Sequence, residues 1–96
     1  MRPDEATRSS PLHLEAPVHG TVISIEAQVG QRMRAGDVTV LIESMKMEVP
    51  VEAPIAARVL SLAVAVGDVV EAGTSLLVLE PVAAGVREVQ RVGREE

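Results

Sequence analysis

Ala16-Pro17-Val18-His19-Gly20-Thr21-Val22-Ile23-Ser24-Ile25 returns 37 residues later as Ala53-Pro54-Ile55-Ala56-Ala57-Arg58-Val59-Leu60-Ser61-Leu62. The correspondence runs on without a gap, laying Val29-Gly30 over Val66-Gly67, Ala35-Gly36 over Ala72-Gly73, and Val40-Leu41-Ile42-Glu43 over Leu77-Val78-Leu79-Glu80. An ungapped match that keeps a proline pair, two glycine pairs and a closing glutamate marks an internal repeat, and a repeat constrains a fold more than any residue propensity does. Each half reads as strand, turn at Val-Gly, short extended piece, turn at Ala-Gly, strand. A unit of about thirty residues buries too little apolar surface to stand alone. The expected fold is therefore all-β: a flattened barrel or sandwich of two halves related by a pseudo-two-fold, stacked face to face on a common core.

Composition limits what such a fold can do. At 96 residues the chain is one small domain, too short for the clefts that most enzymes build between layers. Aromatic residues are absent although 47% of the chain is hydrophobic, so the core must be Val, Leu, Ile, Ala and Met. A net charge of -5 and no aromatic platform argue against a nucleic-acid partner. No run approaches the roughly 18 apolar residues needed to span a bilayer. The opening Met1–Ser10 has no apolar stretch of the secretory kind, so neither a membrane partner nor export is expected. With no cysteine there is no disulfide, thiolate metal site or cysteine nucleophile, and a reducing cytoplasm fits best. The pattern divides the chain into a flexible leader over 1–11, one domain over 12–82 and a polar tail over 83–96.

The repeat ends at Glu43 and restarts at Ala53, which sets Ser44 to Glu52 apart as the stretch with no earlier counterpart. It reads Ser44-Met45-Lys46-Met47-Glu48-Val49-Pro50-Val51-Glu52, between a strand at Val38 to Ile42 and an alternating run from Met47 to Val51. That pattern predicts a hairpin with its tip at Met45-Lys46. A two-residue type I′ tip puts both residues at positive φ, costing a non-glycine residue roughly 1 kcal/mol or more. Met-Lys where Asn-Gly would be easier implies that the side chains are wanted for something other than folding.

Lys46 is the only lysine; every other basic residue is an arginine. A lysine amine at an exposed tip can be received and deprotonated by another protein's active site, whereas a guanidinium neither loses its proton nor acylates readily. The plainer reading makes Lys46 a solubilising surface residue and the flanking methionines core fillers. On these residues alone the two readings stand level.

Glu43-Ser44-Met45-Lys46-Met47-Glu48 resembles the Glu-Ala/Ser-Met-Lys-Met attachment motif of biotinyl domains, the biotin carboxyl carrier proteins of biotin-dependent carboxylases. The resemblance extends from Ala16-Pro17-Val18-His19-Gly20-Thr21-Val22 to Leu76-Leu77-Val78-Leu79. The run Glu43 to Val51 is similar in particular to the short free-standing biotin/lipoyl attachment proteins of bacteria. The fold so implied is the barrel-sandwich hybrid, lipoyl-like in outline. The function implied is a non-catalytic carrier that holds covalent biotin on Lys46 as a swinging arm. A biotin protein ligase would join the biotin carboxyl group to the Lys46 amine through a biotinyl-adenylate. The carrier would then move an activated carboxyl group, as carboxybiotin, from a biotin carboxylase to a carboxyltransferase acting on an acceptor such as an acyl-CoA. Around ten bonds of about 1.5 Å make that arm roughly a nanometre long. Met45 and Met47 would favour the biotin ligase over a lipoate ligase, and Glu43, Ser44 and Glu48 would form the flank of the motif.

The sequence departs from the family's usual residues at Ser44, where Ala is commoner, and at Ala57; its two halves differ at Thr39; and it offers two other functional readings. Ala57 stands where the first repeat, and usually the family, has Gly, so the backbone there must accommodate a Cβ. Thr39 stands opposite Leu76 of the second repeat, implying a less apolar spot. Some family members carry a protruding thumb in the first half, and the ungapped repeat leaves no room for one between Ile25 and Val38. A lipoyl carrier of the dehydrogenase or glycine-cleavage kind is the runner-up, disfavoured by Met-Lys-Met around the lysine. A non-carrier module reusing the scaffold, as in efflux adaptors, is the third. His13 and His19 suggest no metal site, Ser44 lacks the surroundings of a nucleophile, and the glycines belong to turns rather than to a phosphate loop.

Overall fold

The computed structural model describes residues 10–82. The expected leader, apart from Ser10 and Pro11, and the expected tail lie outside the described residues. Eight strands follow one another: β1 (Leu12–Glu15), β2 (Gly20–Ile25), β3 (Arg32–Met33), β4 (Val38–Ser44), β5 (Met47–Glu52), β6 (Ala57–Leu62), β7 (Val69–Val70) and β8 (Ser75–Pro81). They form two four-stranded sheets, in the orders β1-β8-β6-β3 and β5-β4-β2-β7. Every pairing is antiparallel. Adding 37 to the residues of β2, β3 and β4 gives those of β6, β7 and β8, and the second sheet order maps onto the first.

The halves do not each make a sheet. Strand β3 of the first half pairs with β6 of the second, β7 of the second pairs with β2 of the first, and β1 completes the sheet of β6 and β8. Face-to-face stacking of intact halves thus gives way to an exchange of strands. A two-residue strand has no stability of its own, and only the neighbouring half offers it a ladder to join.

Hydrogen bonds repeat with the same offset. Gly30 N donates to Val59 O at 2.8 Å and Gly67 N to Val22 O at 2.7 Å; Gly36 N donates to Ala53 O and Gly73 N to Ala16 O, both at 2.8 Å. These four glycines have φ between 91° and 100°, the left-handed region that a turn needs and that glycine enters without strain. Side chains close the turns with different chemistry in the two halves. The Gln28 N–H is accepted by Gln31 Oε1 where the Ala65 N–H is accepted by Asp68 Oδ2, and Asp37 serves Arg34 N as Thr74 serves Glu71 N.

Between the sheets lie Ala16, Val22, Ala27, Met33, Val40, Ile42 and Val51 with Ala53, Ala57, Val59, Val70, Leu76, Leu77 and Leu79. Most are repeat partners, such as Val22 with Val59 and Ile42 with Leu79. The core is aliphatic with a single thioether, as the composition requires. Thr39 is fully buried opposite Leu76 in the repeat, and its hydroxyl donates to Val51 O at 2.7 Å. A satisfied hydroxyl removes the main penalty of burial, so the less apolar spot becomes a cross-link between β4 and β5. The connection from β2 to β3 (26–31) matches that from β6 to β7 (63–68) in length, and no thumb protrudes.

The stretch without a counterpart is shorter than Ser44 to Glu52. Leu12 and Leu14 of β1 pair with Leu79 and Leu77, as Val49 and Val51 of β5 pair with Ile42 and Val40, so 49–52 repeats 12–15. Identity between Leu-His-Leu-Glu and Val-Pro-Val-Glu is low, and only the pairing discloses the equivalence. The non-repeated remainder is Met45 to Glu48.

Gly20 explains the substitution by Ala57 in the other half. A Cβ on Gly20 would lie 2.4 Å from Glu43 O and 2.7 Å from Ile42 Cγ2, whereas Ala57, opposite Pro81, is accommodated with no exposure. The close approach of β2 to the end of β4 is specific to the side that carries the hairpin. Gly20→Ala is expected to destabilise the fold by about 1–3 kcal/mol through this overlap, measured as a lower denaturant midpoint at unchanged slope.

Candidate functional site

The β4–β5 hairpin is built as its residues predict. Ser44 pairs with Met47 and Glu43 with Glu48, leaving Met45 and Lys46 as a two-residue loop. Their φ values are 53° and 69°, and they are the only non-glycine residues at positive φ among those described. This is the type I′ geometry that matches the twist of the flanking strands, held here by side chains for which it is strained. The strain is sustained by the strands below: Val40 and Ile42 of β4 and Val51 of β5 are in the core, and the Thr39 hydroxyl fastens the base of the hairpin to β5.

The loop stands in solvent. Lys46 is exposed, Met45 is 92% exposed and Met47 is 65% exposed. That removes the reading in which the two methionines fill the core; Met33 is the described methionine that does so. Ser44 is half-buried at the foot of the turn. Glu43 and Glu48 face each other across the two strands, both exposed, so two carboxylates share one face below the amine. Like charges directly opposite weaken a sheet, and their place beside the turn gives the tip an anionic base.

Two neighbours of the site lie outside the motif around the lysine. Val69 pairs with Thr21, and Thr21 with Glu43, so Val69, Thr21, Glu43 and Glu48 form one row across the outer face. Val69 is 67% exposed and sets an apolar patch at the far edge of the row. The repeat lays Val69 over the charged Arg32 and Val70 over Met33, and the pairing of Val70 with Gly20 accordingly leaves Val69 facing out. Pro50 faces Leu41 in edge strand β5, and having no N–H it can sit there only with its nitrogen toward the open side, where it blunts further strand pairing.

Other parts of the molecule add nothing to the tip. An open concavity of about 490 Å³, lined by Glu26, Gln31, Met33, Asp37, Val38 and Leu41, lies at the start of β4, the opposite end of that strand from the turn. His13 and His19 are exposed, and His13 Nδ1 lies 3.4 Å from Ser75 Oγ. No three metal-ligating side chains converge among the described residues. No helix among them is long and apolar enough to cross a membrane.

The fold and the tip together define a scaffold that presents a lysine: two sheets locked by exchanged strands, with their one non-repeated element holding an amine out on a strained turn. The chain belongs to the biotin/lipoyl attachment family, whose model, described as "Biotin-requiring enzyme", matches residues 12–79. Its relatives include much longer carboxylases, of which the chain matches a small region. The pyruvate carboxylase of Bacillus subtilis is 40% identical over 47 residues, 49% of this chain and 4% of the relative. The biotin-dependent acyl-coenzyme A carboxylase alpha3 subunit of Mycobacterium leprae is 47% identical over 36 residues, 38% of this chain and 6% of the relative.

Solved structures agree. A single-chain, multi-domain long-chain acyl-CoA carboxylase matches 91% of this chain and 10% of its own length, with a TM-score of 0.72 and 31% identity. The urea carboxylase of Kluyveromyces lactis matches 74% of this chain and 6% of its own, with a TM-score of 0.70 and 32% identity. The chain thus spans a small fraction of each. These relatives are carboxylases, so the lipoyl reading is not favoured.

Replacing Met45-Lys46 by Asn-Gly relieves the strain of two left-handed side chains. The double variant is expected to gain about 1–2 kcal/mol, seen as a thermal midpoint higher by roughly 4–8 °C per kcal/mol for a domain of this size. An unchanged or lower midpoint would show that the tip is not strained.

Proposed function

We infer that the chain is a biotin carboxyl carrier, modified on Lys46 by a biotin protein ligase and serving a biotin carboxylase and a carboxyltransferase in turn. The observation that carries this reading is the exposed amine of the chain's only lysine, held on a left-handed turn in the one segment that the repeat does not account for. The residues fit the group. A primary amine that another protein can enclose meets the chemistry of amide formation, and no side chain of the hairpin need move to release it.

Within the hairpin the roles divide. Lys46 supplies the nitrogen of the amide and the first bonds of the arm. Met45 and Met47 offer adaptable apolar contacts to the ligase, and Glu43, Ser44 and Glu48 shape the charge and the foot of the turn it grips. The amide converts a cation into a neutral group above two carboxylates, so a partner that meets the tip after attachment meets a more anionic surface. Biotin, once bound, supplies a site for a transferable carboxyl group. The rest of the chain keeps the tip rigid while the arm moves, as function on a loop held by a stable framework requires. The acyl-CoA carboxylases among the relatives suggest an acceptor such as an acyl-CoA, and a chain without cysteine suits a reducing cytoplasm.

Co-expression with a biotin ligase and measurement of the intact mass tests this. One biotin increment is expected on the wild-type chain and none on Lys46→Arg. A wild-type chain without the increment, or a Lys46→Arg chain that keeps it, overturns the reading.

A further inference from the structure

We propose that Met45 and Met47 form an oxidisable pair that gates modification of Lys46, with hydroperoxides as the oxidant. The inference rests on the carrier reading for its consequence, but the oxidation itself does not. The chain has no cysteine, tryptophan or tyrosine, so its four methionines are the side chains most open to mild oxidation. Met33 is 3% exposed, inside the core, while Met45 and Met47 are 92% and 65% exposed. The two accessible thioethers described are thus the two residues bonded in sequence to the acceptor lysine.

Both owe their exposure to the turn. Met45 occupies its first left-handed position, where the chain reverses away from both sheets, and Met47 faces Ser44 at the last pair before the loop. A lone pair of the thioether sulfur attacks one oxygen of a hydroperoxide, a sulfur–oxygen bond forms, the oxygen–oxygen bond breaks, and water or an alcohol leaves. Sulfur is oxidised by two electrons and the peroxide is reduced by two. The product is a polar sulfoxide where a soft apolar group stood. Adjacent Cα atoms are about 3.8 Å apart, so an active site that closes over the Lys46 amine must also enclose its neighbours. Burying a sulfoxide without a hydrogen-bond donor is unfavourable, and docking weakens. The change is reversed by methionine sulfoxide reductases, which take two electrons from a dithiol that becomes a disulfide and release the oxygen as water, so that it acts as a switch on attachment rather than damage.

The test treats the purified chain with hydrogen peroxide, removes the peroxide, and maps sulfoxides by peptide mass. Treated and untreated chains are then given to a biotin ligase with biotin and ATP. Met45 and Met47 are expected to oxidise well before Met33, and the treated chain to accept biotin at least about tenfold more slowly, equivalent to ~1.4 kcal/mol of docking. The two sulfoxide reductases with a dithiol should restore the rate. In the M45L/M47L double variant the ratio of treated to untreated rates should be one. Oxidation of Met33 as fast as the hairpin pair, undiminished biotin uptake by the oxidised chain, or a peroxide-sensitive double variant would each overturn the proposal. An untreated wild-type chain that takes no biotin overturns the carrier reading instead, a result that oxidation cannot imitate.

Discussion

Strand exchange between the two halves is the constraint on which the molecule depends. β3 and β7 are two residues long, and each finds its ladder on the other half: Met33 against Ala57, Val70 against Gly20. Because Met33, Ala57 and Val70 lie in the core, the exchange aligns the backbone ladders and the apolar layer at once. Neither half can loosen without unpairing a strand of the other. This is how a chain with no aromatic side chain and no disulfide holds a fixed shape: many small aliphatic contacts, each registered by two sets of equivalent hydrogen bonds.

Rigidity of that kind permits a strained tip. The left-handed conformations of Met45 and Lys46 oppose folding locally, and the strands beneath them, anchored by Val40, Ile42, Val51 and the Thr39 hydroxyl, supply the compensation. Strain concentrated at a functional position and offset elsewhere is a recurring arrangement. Here its consequence is that the amine and both thioethers point away from the body, open to whatever enzyme closes on them.

The two halves share a backbone plan and differ where the hairpin leaves one of them. Gly20 yields space to the end of β4, while Ala57 fills the equivalent place. The outer row Val69–Thr21–Glu43 corresponds to Arg32–Arg58–Glu80, so the same ladder positions carry a valine and a threonine beside the lysine and two arginines in the other sheet, with a glutamate closing both. A repeat conserves what the core needs and leaves outward positions to diverge, because burial constrains side-chain volume and exposure does not.

Much was legible in the residues themselves. The offset of 37, the glycine turns, the all-β character and the hairpin tip all follow from local rules: alternation, turn chemistry and the limit on what thirty residues can bury. The presentation of Lys46 also reads directly, since a two-residue turn between two strands is a local feature. Other features required the folded chain. Which half each short strand joins, that 49–52 repeats 12–15 and that Gly20 is pressed against Glu43 are all outcomes of long-range pairing. A run such as Val69-Val70 has the same alternation whichever neighbour it meets. The sequence by itself determined a duplicated β scaffold and its single presented lysine, because those rest on periodicity and local chemistry; the tertiary structure alone decided the exchange of strands and the surroundings of the tip, because register between distant segments is set by the packing of the shared core.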